Sequence, residues 1–339
     1  MRRVARAGAL LCLLASTTAH AGADLEQIRA RDRLRCGVSE GIAGFSLRDA
    51  AGRWAGLDVD FCRAVAAALL RDPEKVELVP LTAAARFPAL QGGRIDLLLR
   101  NTTWTLAREA GLGVRFTGVL FYDTQAILVP GGGAARAPED LAGETVCVER
   151  GTDHEANLAR RLAASGRSFA PLVLPDAAAA AEAFFAGRCR AYTSDASQLA
   201  AALLRAPGGR GGFAILPEQI AREPLAPSVR AGDEEWFALV RWVLFALLTA
   251  EERGITQAAA ADAGRARALV VPAAVAAGLG TDPEWALRAV RAGGNYGEIF
   301  ERHFGAASGL DLERGANRIW TQGGLHFAPP LAPVEASAR

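Results

Sequence analysis

The sequence predicts an α/β protein built as two lobes, each a mainly parallel sheet flanked by helices, and three observations carry this expectation. Short apolar runs alternate with helical stretches from Leu34 to Glu218, which is the rhythm of βαβ units. That rhythm occurs twice, interrupted by the loop "PGGGAARAPEDLAG" that begins at Pro130. A chain of 339 residues, 51% hydrophobic and 22% charged, is also long enough for two domains with a sizeable core.

The first segment, "MRRVARAGALLCLLASTTAHA", has arginines at 2, 3 and 6, an apolar run from Ala7 to Ala15 and the small-residue exit Ala19-His20-Ala21. This is the three-part pattern of a secretory signal, residues 1–21, cleaved after Ala21. As a membrane anchor it is too short, since a span needs roughly 20 apolar residues. Cys12 lies inside it behind Leu10-Leu11 and makes a poor lipoprotein cysteine. Cleavage takes the 38 basic residues to 35 against 37 acidic ones. A near-neutral chain with no charge run offers no footprint for nucleic acid. Cys36, Cys62, Cys147 and Cys189 remain, and an even number in an oxidising compartment favours disulfides. Three pairings are open; Cys36–Cys62 with Cys147–Cys189 is the economical one, and four buried thiols are the alternative.

The elements follow in order. "RLRCGVS" is a short strand, "SLRDAAGRWAG" a glycine-marked turn, and "LDVDFCRAVAAALL" a helix with Val59, Phe61, Cys62, Val65 and Leu69 on one face. "KVELVPL", the helix "ARFPALQGG" and the buried strand "RIDLLLR" complete the first unit. The second runs through the strand "ETVCVERG", the helix "DHEANLARRLAASG", the strand "FAPLVL", the helix "AAAAAEAFFAGR" and the strand "CRAYTSD" to the helix "ASQLAAALLRA" and the strand "GFAILPE". The last third is helical. In "DEEWFALVRWVLFALLTAEERG", Trp236, Val240, Val243, Leu244 and Leu247 share a face, and Arg241 argues for a buried helix over a membrane span. The glycine cluster at 208–212 and "EPLAPSV" are connectors. The chain is thus expected to leave the first lobe near Leu120 and return near Pro227, with crossings at Phe121–Gln125 and Glu223–Pro227. Residues 22–121 and 228–339 then form lobe 1, and 122–227 lobe 2.

No constellation specifies catalysis. The four histidines are scattered without metal-ligand spacing, the glycines at 131–133 lack a following Lys-Ser or Lys-Thr, and there is no G-x-S-x-G elbow. No cofactor or metal is expected. The polar cluster "RNTTWTLARE" after "IDLLL" is different, because the C-terminal end of a buried parallel strand faces the crevice where open α/β sheets bind ligands. Asn101, Thr102 and Thr103 place amide and hydroxyl groups there. Arg108, five residues beyond Thr103, offers a planar fork for a carboxylate; its alternative is a solvated helix arginine. In "VERGTDHEA", Gly151 and Thr152 open a helix whose free N–H groups suit an anion, although Thr152 or Asp153 could equally be its N-cap. Asp195, at the end of "CRAYTSD", suits a cation or caps the next helix. An arginine on one lobe and a carboxylate on the other fit a zwitterion.

With these residues in place, the sequence resembles the periplasmic solute-binding proteins of polar-amino-acid ABC transporters, within them the general L-amino-acid-binding subgroup. The segments that carry it are "CGVSEGIAGFS", "GLDVDFCRAVAAAL", "VPLTAAARFPALQGGRIDLLLRNTTWTLARE", "VERGT", "YTSDASQLA", "EWFALVRWVLFALLTAEE", "GNYGEIFERHFG" and "GLHFAPP". The resemblance implies the two-lobed type 2 periplasmic-binding-protein fold with two hinge crossings. It implies a monomeric, non-enzymatic periplasmic receptor that closes on one L-amino acid and presents it to an inner-membrane ABC permease. It assigns Thr103 and Arg108 to the ligand carboxylate, Thr152 to the same carboxylate from the second lobe, and the backbone of Asn101 and the side chain of Asp195 to the α-ammonium. Ser39 and Phe45 fall on the first-lobe loop that lines the pocket in relatives.

The chain departs from the pattern in three places. Thr82-Ala83-Ala84-Ala85 stands where several relatives carry a pocket aromatic, which fits a roomier pocket. Asp153-His154 follows Gly151-Thr152 where small or hydroxyl residues are usual, and Glu40 is acidic beside the first-lobe loop. If Asp153 or Glu40 faces the pocket, basic ligands are favoured. The rival reading is a cyclic dehydratase on the same scaffold, for which Glu40, Asp153 and His154 are the candidate acid or base groups.

Overall fold

The computed structural model describes residues 23–133 and 135–331; the stretch read as a signal peptide lies outside them. After helix α1 (Ala23–Arg31), the first unit runs β1 (Leu34–Ser39), the hairpin β2 (Leu47–Arg48) and β3 (Trp54–Ala55), α2 (Leu57–Leu70), β4 (Val76–Leu81), α3 (Arg86–Gln91), β5 (Leu97–Leu98), α4 (Leu106–Gly111) and β6 (Val114–Phe116). The chain crosses on β7 (Phe121–Pro130). It then builds β8 (Thr145–Glu149), α5 (His154–Ala163), β9 (Ala170–Leu174), α6 (Ala177–Phe185), β10 (Ala191–Asp195), α7 (Ala196–Leu203) and β11 (Phe213–Ile215). It returns on β12 (Ala221–Leu225) to β13 (Ser228–Arg230) and α8 (Glu234–Glu252), followed by α9 (Ala263–Ala266), α10 (Ala273–Ala277), α11 (Trp285–Gly293) and α12 (Tyr296–Phe304).

The two lobes each hold one sheet, ordered β4-β1-β5-β13-β6 and β11-β7-β10-β8-β9. Strands joined through helices are parallel: β1 with β4 and β5, and β8 with β9 and β10. Strands that enter from the hinge are antiparallel to their neighbours, as β13 is to β5 and β6 and β7 to β10 and β11. A mixed sheet follows because those strands arrive across the hinge with no crossover helix to reverse the chain.

The hinge is a two-stranded ribbon, with β7 and β12 paired from Phe121↔Leu225 to Gln125↔Ala221. The C-terminal segment fastens one end. Asn317 accepts from the Tyr122 N–H at 2.7 Å and donates to its carbonyl at 3.0 Å, and the Tyr296 hydroxyl donates to the Leu120 carbonyl at 2.9 Å. The lobe-1 core is the larger. The alanine-rich α2 is apolar nearly all round, because it is covered by the sheet on one side and by α8 and α11 on the other. In α8 the indole of Trp236 donates to the Asp96 carbonyl at 3.1 Å, and Arg241 donates to the Thr117 carbonyl at 2.9 Å. Its polar groups are therefore satisfied within the protein, and among the described residues no helix is long and apolar enough to cross a membrane.

Each lobe carries one disulfide, Cys36–Cys62 between β1 and α2 and Cys147–Cys189 beside β8 and β10, closing sequence separations of 26 and 42 residues. By chain entropy each stabilises the fold by about 3–4 kcal/mol. Reductant is therefore expected to lower the thermal midpoint in a scan, with Cys36→Ala/Cys62→Ala showing about the effect of one bridge. A midpoint unmoved by reduction would show that the bridges do not hold the fold.

Candidate functional site

The polar turn after β5 is shaped by one backbone choice. Asn101 adopts a positive φ of 41°, which asparagine tolerates better than most residues. This buries the side chain, and among the described residues neither amide atom has a partner. The following residues are tied to the hinge strand: Ala226 N–H donates to the Thr102 carbonyl at 2.9 Å and Trp104 N–H to the Pro224 carbonyl at 2.8 Å. Trp104 turns away from the cleft, stacked on Phe116 at 5.7 Å with its indole N–H on Glu109 at 2.7 Å.

Thr105 caps α4, and this first turn directs Arg108 back over the strand end. Its guanidinium donates to the Thr103 carbonyl at 2.8 Å and pairs across the cleft with Asp153 at 2.8 Å. Arg108 is only 8% exposed, so it is not a solvated helix arginine. Burial pushes its pKa down, opposed by the charges of Asp153, Glu223 and Asp195.

Lobe 2 meets it at the C-terminal end of β8. Gly151 has φ +83°, and a Cβ there would lie 2.7 Å from the backbone of Ala84 in lobe 1. Only glycine lets the lobes touch so closely at this point. Thr152 donates its hydroxyl to the Glu149 carbonyl at 2.8 Å. Asp153 makes no side-chain cap to α5, nor Asp195 to α7, so both carboxylates serve something other than helix capping. Asp195 is held by His154 Nε2 at 3.1 Å, while Gln125 holds the neighbouring backbone and Thr193.

Asn101, Thr103 and Arg108 of lobe 1 thus share one cavity with Thr152 and Asp195 of lobe 2. Arg86, Arg100, Glu149, Asp153, His154 and Gln198 complete its wall. The space among them is about 10 Å³, enough for a single water molecule. Entry of anything larger requires the lobes to part or the Arg108–Asp153 pair to open. Ser39 and Phe45 do not reach this cavity. Ser39 is fully buried and bonded to the Ser46 hydroxyl, while Phe45 packs edge-on against Phe121 and Phe304. Glu40 lies in a separate cleft with Asp176 and Arg205.

Two contributors were not singled out from the sequence. Arg100 pairs with Glu149 across the lobes at 2.7 Å, with side chains 3% and 1% exposed. The signal was a charge at the end of each apolar strand, "IDLLLR" and "TVCVE". Glu223 sits in the hinge and accepts from the Thr103 hydroxyl and from Asn157; nothing in "EPLAP" marks it.

His154, Asp195 and Glu223 gather ligand-type atoms within 4.8 Å of one another. Such a cluster is a seat for a cation, and a primary ammonium, with three donors, matches several acceptors. Burial and the charge of Asp195 raise Glu223, and burial with the same charge raises nearby Asp123 to about 7. Burial disfavours the charged form of His154, but the bond to Asp195 and the surrounding carboxylates hold its pKa above the ordinary value.

Between the ordinary 3.8 of Asp123 and about 7 the folded protein keeps a proton that the unfolded chain has released. Its contribution is complete below the lower value and lost as pH rises through the higher. A ligand ammonium beside these groups favours their deprotonated forms, so binding near neutral pH is expected to release protons. Calorimetry in buffers of different ionisation heat tests this: a heat independent of buffer would refute it, and Asp123→Asn should reduce the release.

Residues 34–306 match the bacterial extracellular solute-binding proteins, family 3. The chain belongs to that family. This family 3 protein is 41% identical over 327 residues, 94% of its length and 96% of the relative's, to the general L-amino acid-binding periplasmic protein AapJ of Rhizobium johnstonii. It is 42% identical over 330 residues, 95% of its length and 97% of the relative's, to the glutamate/glutamine/aspartate/asparagine-binding protein BztA of Rhodobacter capsulatus. Among solved structures it resembles an ABC transporter periplasmic binding protein from Brucella ovis with glutathione bound, at TM-score 0.85 and 40% identity, covering 90% of this chain and 98% of that one. These are binding proteins, and none supports a dehydratase.

Proposed function

We propose that this family 3 protein is the periplasmic receptor of an ABC importer and binds the α-amino-acid head group of its ligand between the lobes. The observation that carries the reading is the placement of Arg108 and Asp195, one from each lobe, across a single buried cavity that also holds the unpartnered amide of Asn101. Arg108 takes the carboxylate, joined by Thr103 and Thr152 once their hydroxyls turn from Glu223 and the Glu149 carbonyl; Asp195 and Asn101, with Glu223 nearby, take the ammonium. Burying both ligand charges is tolerable because each meets several partners.

The relatives support the same head group. General L-amino acids, glutamate with its amides, and glutathione all present a free α-amino acid, glutathione through its γ-glutamyl end. Binding from both lobes favours the closed form over the open one, which is how occupancy is signalled to an inner-membrane permease. The leader at 1–21, cleaved after Ala21, and two disulfides fit a monomer exported to the periplasm. A thermal-shift screen of the mature protein against L-amino acids and their D-forms tests the proposal, since a bound ligand raises apparent stability by mass action. Midpoints raised by L-amino acids are expected; no shift with any of them would overturn it.

A further inference from the structure

Arg86, the first residue of α3, lines the same cavity and is 2% exposed. The two other guanidiniums there have counter-ions, Arg100 in Glu149 and Arg108 in Asp153. Arg86 has none. Its Nη2 donates to the Gly151 carbonyl of lobe 2 at 3.3 Å, and its Nε finds no acceptor. The ring of Phe87 lies 5.3 Å from its guanidinium and 5.6 Å from that of Arg108. It gives each a partial cation–π contact and marks two neighbouring but distinct positive seats. Burial, followed by the charges of Arg108 and Arg100, lowers the Arg86 pKa to about 9. A buried cation without a counter-ion opposes closure unless an anion arrives with it.

We propose that Arg86 receives the anionic end of the ligand side chain, so that the preferred ligands are L-α-amino acids bearing a second carboxylate. The assignment rests on the head-group reading above. Arg108 takes the first carboxylate and Arg86 the second, and closure brings the Gly151 carbonyl onto the far side of the Arg86 fork. A neutral side chain of the same shape leaves Arg86 unpaired. The pocket discriminates glutamate from glutamine by charge and not by size. Asp153 also faces this cavity, but its side chain is 42% exposed, so once a ligand carboxylate replaces it on Arg108 it turns to solvent and does not select for basic ligands.

The test is calorimetric titration of the full mature protein with L-glutamate, L-aspartate, L-glutamine, L-asparagine and L-alanine. Glutamate or aspartate is expected to bind at least about tenfold more tightly than its amide, the value of one lost charge-assisted hydrogen bond. Arg86→Gln should bring that ratio near one, and Arg86→Lys should keep part of the preference. An amide bound as tightly as its acid by the wild type, or an unchanged ratio in Arg86→Gln, overturns the assignment and leaves the head-group reading standing. The wild-type ratio decides even if a variant fails to fold. Binding of no amino acid at all overturns the head-group reading, and this assignment with it.

Discussion

Arg108→Ala is expected to weaken amino-acid binding by about 100- to 1,000-fold, the consequence of leaving a buried ligand carboxylate without its guanidinium, about 3–4 kcal/mol. The fold should be little affected. The partner across the cleft, Asp153, has a side chain 42% exposed, so water replaces the lost arginine there. The cap of α4 uses the Arg108 backbone N–H and the Thr105 hydroxyl, and both survive the substitution. The thermal midpoint without added amino acid should therefore stay within about 3 °C in a chain of this length. Arg108→Lys keeps the charge but loses the fork and should fall between. Unchanged affinity in calorimetry would remove Arg108 from the site; a midpoint collapsing by ten or more degrees would make it a structural residue instead.

The second large effect is expected at Glu149. Its ion pair with Arg100 is buried, with a further bond from Arg100 to the Leu81 carbonyl at 2.9 Å and Gln198 at 3.4 Å from the carboxylate. Removing one member of such a pair costs about 3–5 kcal/mol, because the other is left charged in a dry place. Here the partners belong to different lobes, so the protein has an escape that an ordinary core pair lacks. Opening the cleft returns Arg100 to water. Glu149→Ala is therefore expected to shift the open–closed balance more than the folded–unfolded one. Solution scattering should show a larger radius of gyration, and affinity should fall with the closed fraction. Glu149→Gln, which keeps an acceptor, should show a smaller change. A lowered thermal midpoint with an unchanged radius would sink this account.

How much of this was legible in the sequence depends on which distance a residue's role spans. The placement of Arg108 and Asp195 at the cleft could be read because it is local: Asp195 ends a strand and Arg108 lies one helical turn beyond the polar turn that ends another, and strand ends of α/β sheets face a crevice. Of the three pairings open to the four cysteines, the ones formed are Cys36–Cys62 and Cys147–Cys189, the economical choice because each pair lies within one lobe's sequence. Trp104 could not be placed from its neighbours, since what holds it is Phe116, beyond the next helix. Ser39 sits on the loop that the resemblance pointed to, yet its bond to Ser46 turns it inward, whereas Phe45, packed on Phe121 and Phe304, lines a small space beside Asn101 and Arg100. Glu223 and Arg86 were the hardest. One lies in a connector whose prolines mask it, and the other becomes buried only where the lobes meet, a relation no periodicity encodes. The antiparallel strands of both sheets were likewise hidden, because direction there is set by a hinge crossed twice and not by any local pattern.

Asp153 on Arg108 carries one more consequence. An incoming carboxylate that takes its place on the guanidinium exchanges one ion pair for another at that seat, and the displaced Asp153 needs only to swing toward solvent. The contribution of Arg108 is therefore nearly blind to ionic strength, because screening acts equally on both sides of that exchange. Any salt dependence of binding then reports the charge pairs formed elsewhere in the cleft.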